Sequence, residues 1–219
     1  MTVVGRVVYT PLYGEALWYA AGLHAAHLRK GPVDGPQIPY ISHLLSVSAL
    51  VWEAIGERVP APKEATNQDL AIAALLHDSV EDQGGQPVLE EIGRRFGEHV
   101  ACIVKECSDS DVMPKRPWCE RKQAHIDHMA EVSKGALYVV AGDKMHNVTC
   151  MIEDYVTIGD ELWDRFNAPS KPSDILWYYD EMHAVLKRRL PGVRLVNRLG
   201  DGIASLKKLV DGHEVPAES

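Results

Sequence analysis

The stretch "DLAIAALLHD", residues 69 to 78, constrains the fold more than any other part of the chain. Leu70 to Leu76 form an unbroken apolar run. A helix of that composition is apolar on nearly all faces, so it belongs inside a core and must be surrounded by other elements. Thr66 or Asn67 is the expected N-cap, and the helix is expected to run on through "HDSVED" to Asp82. That reading puts Asp78, Glu81 and Asp82 at the electronegative end of the helix dipole, where each costs on the order of 0.3–1 kcal/mol. Something positive is expected to compensate them.

Helical periodicity dominates the rest of the chain. "GEALWYAAGLHAAHLRK" (14 to 30) reads as a helix with a basic last turn, broken by "GPVDGPQIP". "YISHLLSVSALVWEAIG" is a second helix closing on Gly56. "VLEEIGRRFGEHVACIVKECSD" reads as two short helices hinged near Phe96-Gly97, and "CERKQAHIDHMAEV" as another. "GALYVVAGDKMHNVTCMIEDYV" is ambiguous, because "ALYVV" suits a strand; no neighbouring segment offers a partner strand, so a buried helix is expected. Helices at "IGDELWDRFNA", "SDILWYYDEMHAVLKRRL" and "LVNRLGDGIASLKKLVD" follow. The expectation is an all-α bundle forming one domain over residues 1–212, with a motif-bearing core at 14–155, C-terminal helices at 156–212 and a frayed tail at 213–219.

Composition excludes several function classes. A formal charge of −8 argues against a nucleic-acid partner, though a phosphate-rich small ligand needs only a local basic cluster. No run approaches the ~20 apolar residues of a membrane span, and no signal peptide is evident at the N-terminus. The four cysteines form no CxxC pair and read as reduced thiols of a cytoplasmic protein.

Four positions stand out as metal ligands: His43, His77, Asp78 and Asp143. His77 and Asp78 are adjacent, so both reach one ion only if the others arrive from separate helices. Asp143 interrupts an otherwise buried stretch, where an unpaired carboxylate is costly. Each has a competing role when taken alone. His43 suits a hydrogen-bonded core histidine, Asp143 a partner for Lys144 or a distant arginine, and His77-Asp78 a cap or a solvent-facing pair. A set of histidines and carboxylates without thiolate favours a harder metal such as manganese or iron over structural zinc. His24, His27, His125, His128 and His146 read as structural, and the basic run "PKRPWCERK" (114 to 122) as a solvated face or a phosphate contact.

"YISH", "AALLHDSVED", "FGEHVACIVKECSD" and "AGDKMHNV" together resemble the HD-domain superfamily of metal-dependent phosphohydrolases. More narrowly they resemble the hydrolase domain of the Rel/SpoT alarmone enzymes and the stand-alone small alarmone hydrolases. The resemblance covers roughly residues 14 to 155. It implies an all-α HD-domain bundle holding one Mn²⁺ per chain on His43, His77, Asp78 and Asp143. It also implies water activation by Glu81 and Asp82, and nucleotide contacts from Arg29, Lys30 and Asn147. The resemblance also offers Tyr178 as an aromatic contact on the substrate, with Tyr179 fitting nearly as well, while the residues themselves favour core packing for either. The implied reaction is hydrolysis of the 3′-pyrophosphate of guanosine tetra- or pentaphosphate by a monomer or homodimer, with no synthetase activity. Alternatives are another nucleotide substrate (an adenosine alarmone, the 2′-phosphate of NADPH or a 5′-nucleotide) or a catalytically silent nucleotide sensor. The chain departs from the pattern at Ala26-His27, where the family usually has Gly-Gln, and at Leu44, where it usually has proline.

Overall fold

The computed structural model describes residues 10–31, 37–56, 66–108 and 117–213. Those residues form an all-α structure: α1 (Pro11–Leu23), α2 (Ile41–Gly56), α3 (Asn67–Leu76), α4 (Ser79–Gln83), α5 (Gln86–Phe96), α6 (Glu98–Cys107), α7 (Trp118–Met129), α8 (Lys134–Ile158), a 3₁₀ helix (Gly159–Arg165), α9 (Ser173–Arg189) and α10 (Arg194–His213). Among them the only extended pairing is an isolated antiparallel bridge between Leu28 and Pro39. The chain divides into two compact units. One holds residues 1–109 and 133–142, the other 110–132 and 143–219, and α8 runs through both.

The first unit is built around α3. Leu70 through Leu76 are all fully buried, and the helix packs against α1, α2 and α6. Thr66 caps it with a reciprocal box. Its hydroxyl accepts from the Asp69 amide at 3.2 Å, while the Asp69 carboxylate accepts from the Thr66 amide at 2.8 Å. Gly97, at φ +96°, makes the hinge between α5 and α6 that the sequence predicts. The start of α8 lies in this unit too. Gly142 sits so close to α2 that a Cβ there would stand 3.2 Å from the Val47 carbonyl oxygen. "ALYVV" is helical, as expected.

Two boundaries differ from the sequence reading, and both shape the site. First, the apolar helix stops at Leu76 and a separate short helix begins after Asp78. Glu81 and Asp82 therefore lie in the first turn of α4 and Asp78 at its N-cap, the end at which acids are favoured. Second, α1 ends at Leu23, so Arg29 and Lys30 are not a basic last turn. The His27 amide donates to the His24 carbonyl, the Tyr40 amide to His27 and the Arg29 amide to Ile38, at 3.0, 2.9 and 2.8 Å. Those bonds draw residues 27–29 into the bridge and leave no helical carbonyl ladder to continue. Helical periodicity lost here to long-range backbone pairing.

In the second unit α9 packs against α7 and α10. The Arg189 guanidinium collects the carbonyls of Ala130 and Val132 just past the end of α7. Gly202 brings α10 against Val148 of α8, where a Cβ would meet Val148 Cγ1 at 3.0 Å.

Candidate metal centre

Within the first unit, three of the four anticipated ligands meet at one carboxylate oxygen. His43 lies in the first turn of α2 and is 1% exposed; His77, 5% exposed, ends α3. Asp78 Oδ2 stands 3.1 Å from His77 Nε2 and 3.6 Å from His43 Nε2. The orientation of each group is set by a second partner. His77 Nδ1 lies 2.9 Å from the Ala74 carbonyl, which can only accept, so Nδ1 carries a proton and Nε2 is the ring atom left to face a cation. Tyr40 Oη donates to Asp78 Oδ2 at 2.6 Å.

This donor set fits a divalent cation. Ligands at right angles on bonds of about 2.1 Å stand roughly 3 Å apart, and the two nitrogen–oxygen separations lie near that value. The break between α3 and α4 makes the arrangement possible, because it lets the adjacent His77 and Asp78 turn toward the same point. The backbone bond from His77 and the hydroxyl from Tyr40 are the kind of outer support that metal ligands require.

Asp143 belongs to the second unit, directly after Gly142 on α8. Its Oδ1 accepts from Asn147 Nδ2 at 2.5 Å and its Oδ2 from Lys144 Nζ at 2.7 Å. Burial pushes Lys144 toward neutrality, but the Asp143 carboxylate and Tyr178 outweigh it and hold its pKa well above the usual lysine value. The Lys144 partnership weighed from sequence is therefore present, and Asn147 grips Asp143 itself. Tyr178 is 4% exposed. It packs edge-on against Trp118 and Tyr179, with the Lys122 and Lys144 ammoniums 4.9 and 5.5 Å from its ring. Residues 114–116 of the basic run lie outside the described residues.

Arg29 is half-buried with its guanidinium 5.9 Å from the Tyr40 ring centre, and Lys30 is exposed. Glu81 is exposed. Asp82, whose side chain is 32% exposed, has a carboxyl pushed up to about 6 by its partial burial and then by the negative charge of Asp78.

Sequence reasoning missed the importance of His24 and His27. The His27 ring stacks on Tyr40 at 3.9 Å, and Nδ1 of His24 and Nδ1 of His27 are 3.0 Å apart. His27 Nδ1 lies 3.8 Å from Asp82 Oδ2. Their three-residue spacing was visible, but only the fold brings Asp82 to them.

A sequence profile of the HD domain matches residues 16–155. The chain belongs to the HD-domain family. Among curated HD-domain relatives, the guanosine-3′,5′-bis(diphosphate) 3′-pyrophosphohydrolase MESH1 of Xenopus tropicalis is 35% identical over 134 residues, 61% of this chain and 66% of the relative. The Homo sapiens protein of the same name is 34% identical over the same shares. The match thus spans slightly less than two thirds of those relatives. The HD-domain fold is also seen in a solved metazoan ortholog of SpoT that hydrolyzes ppGpp and plays a role in starvation responses. That structure superposes with a TM-score of 0.67 at 24% identity, covering 90% of this chain and 97% of the other. The lmo0812 protein of Listeria monocytogenes EGD-e gives a TM-score of 0.60 at 20% identity, covering 77% and 99%.

Proposed function

We propose that this HD-domain protein is a Mn²⁺-dependent phosphohydrolase that removes the 3′-pyrophosphate of guanosine alarmones in the cytoplasm, giving GDP or GTP and pyrophosphate. The observation that carries the reading is the meeting of His43, His77 and Asp78 at one carboxylate oxygen, in a chain one-third identical to ppGpp pyrophosphohydrolases. Asp143 is the fourth ligand in this reading. Asn147 and Lys144 hold that carboxylate in place.

When bound, the cation lowers the pKa of a coordinated water and neutralises phosphate oxygens. The chain's own groups do the rest. Tyr40 orients Asp78, and the Ala74 carbonyl fixes the His77 tautomer. Arg29 and Lys30 bind the phosphates, with Arg29 braced over the Tyr40 ring. Glu81 takes the proton from the attacking water. Asp82, titrating near 6, gives its proton to the ribose 3′ oxygen as the bond from phosphorus to that oxygen breaks. The water oxygen ends in pyrophosphate. Tyr178 is the aromatic on the nucleotide side in this reading, contributing through Lys122 and Lys144 against its ring.

The test is a phosphate-release screen of guanosine and adenosine alarmones, NADPH and nucleoside monophosphates, using the wild type and a folded Asp78→Ala variant. Pyrophosphate from the guanosine alarmones, abolished in the variant, is expected. Orthophosphate as the sole product, or normal turnover by Asp78→Ala, refutes the reading.

A further inference from the structure

We infer that His27 is a positioning residue of the metal centre: its ring holds the Tyr40 ring in place, and through the Tyr40 hydroxyl it aims the Asp78 carboxylate. The inference rests on the reading of His43, His77 and Asp78 as metal ligands and adds the layer behind them.

The contact between the two rings is close and flat. Their centroids are 3.9 Å apart with an 8° interplanar angle, so the ring faces touch. The other imidazoles around Tyr40 stand further off, His24 at 5.1 Å and 13°, His43 edge-on at 5.3 Å. His24 and His27 meet Nδ1 to Nδ1 at 3.0 Å with a 17° interplanar angle. The two imidazoles thus form one hydrogen-bonded layer nearly parallel to the phenol ring, and His27 is the part of it in direct contact.

A phenol O–H lies in the plane of its ring, because the oxygen lone pair is conjugated with it. The ring plane therefore decides where the Tyr40 proton points, and an aromatic χ2 left to itself spans a broad range. The His27 stack narrows that range. The proton then points at Asp78 Oδ2, which is 2.6 Å from Tyr40 Oη. The same oxygen stands 3.1 Å from His77 Nε2 and 3.6 Å from His43 Nε2, so a turn of the Tyr40 ring is felt at the atom that faces the cation.

His27 is itself anchored. Its amide donates to the His24 carbonyl at 3.0 Å, and its carbonyl accepts from the Tyr40 amide at 2.9 Å. His24, 2% exposed at the end of α1, gives the layer a buried edge. Gln83 Nε2 lies 3.3 Å from His24 Nδ1 and 3.5 Å from His27 Nδ1, which keeps His24 partnered when the His27 ring is exchanged for another.

The experiment is a Mn²⁺ titration of the full-length protein in competition with a fluorescent chelator, run as a double-mutant cycle between His27 and Tyr40. His27→Ala and His27→Leu lack a flat ring, His27→Phe keeps one, and circular dichroism first shows each variant to be folded. Loss of the stack should weaken Mn²⁺ binding about 3- to 10-fold in His27→Ala and His27→Leu, while His27→Phe stays within twofold of wild type. In the Tyr40→Phe background, His27→Ala should change the Kd less than twofold, because the hydroxyl through which His27 acts is already gone. Three results would each overturn the inference: a wild-type Kd in His27→Ala, an equal fold-loss in both Tyr40 backgrounds, or His27→Phe as weak as His27→Ala. Loss of binding in His77→Ala would then leave the metal centre standing. Wild-type binding that His77→Ala leaves intact, or no Mn²⁺ binding at all, overturns the metal centre and this inference together.

Discussion

Tyr40→Phe removes a single hydroxyl and isolates the support it gives to Asp78. The bond from Tyr40 Oη to Asp78 Oδ2 is 2.6 Å long, short for a hydroxyl donor and in the range of bonds to ionised acceptors. Such bonds contribute about 1.5–3 kcal/mol, and the 24% exposure of the Asp78 side chain favours the lower half of that range. At 1.4 kcal/mol per tenfold, the loss corresponds to roughly 10- to 40-fold weaker cation binding. That agrees with the 10–100-fold cost typical of removing an outer partner of a metal ligand. The phenylalanine ring keeps the stacks on His27 and His24, so the fold around the turn should persist. The assay is a Mn²⁺ titration in competition with a fluorescent chelator, with thermal unfolding as a control for stability. A Mn²⁺ Kd within twofold of wild type would refute the reasoning, because Asp78 would then need no help to face the ion.

Three further outcomes follow from the same structure. Gly142→Ala places a Cβ 3.2 Å from the Val47 carbonyl oxygen and from Val51 Cγ2; overpacking of about 1–3 kcal/mol is set against a helix-propensity gain of about 1, so denaturant unfolding should show a net loss of up to about 2 kcal/mol. Thr66→Ala deletes the cap of the core helix α3 and should cost about 1 kcal/mol in the same measurement. Asp82 has a folded pKa of about 6 against an ordinary 3.8, so the folded state holds its proton more tightly than the unfolded one. Its contribution is fully present below pH 3.8 and is lost as pH rises through 6. With chelator present, Asp82→Asn should therefore be more stable than wild type at pH 7, by on the order of 1 kcal/mol after allowing for exposure, and indistinguishable at pH 3.5. Equal stability at both pH values would contradict the shift.

Much of the fold was legible in the sequence for physical reasons that can be named. Leu70 to Leu76 admit no exposed face, and the cap-forming pair Thr66-Asn67 marks the start of α3 without reference to the rest of the chain, although only the structure shows Thr66 to be the cap. Gly97 between two amphipathic runs shows the α5–α6 hinge. Elsewhere local pattern and long-range pairing disagreed. His24 to Lys30 carries a helical pattern, yet Tyr40 and Ile38 take its backbone partners, so α1 ends seven residues early. The stop at Leu76 was hidden because Ser79 and the acids after it suit a helix start as well as a continuing helix. In the site, adjacency in a motif pointed to His77 and Asp78. His24 and His27 carry no motif partner, and their value emerges only when the break after α3 turns Asp82 toward them. Tyr40 opens "YISH", where spacing assigns it no role; its hydroxyl bonds Asp78 while its ring stacks on His27 and His24.

The proposed centre is one cation held by His43, His77, Asp78 and Asp143 and used to release pyrophosphate. The most direct measurement is phosphorus NMR of guanosine tetraphosphate incubated with the protein, first with Mn²⁺ and then with the metal chelated. Pyrophosphate and GDP should form with Mn²⁺ and cease to form on chelation, with turnover restored when the metal is added back. Turnover at the same rate in the chelated sample would contradict the account.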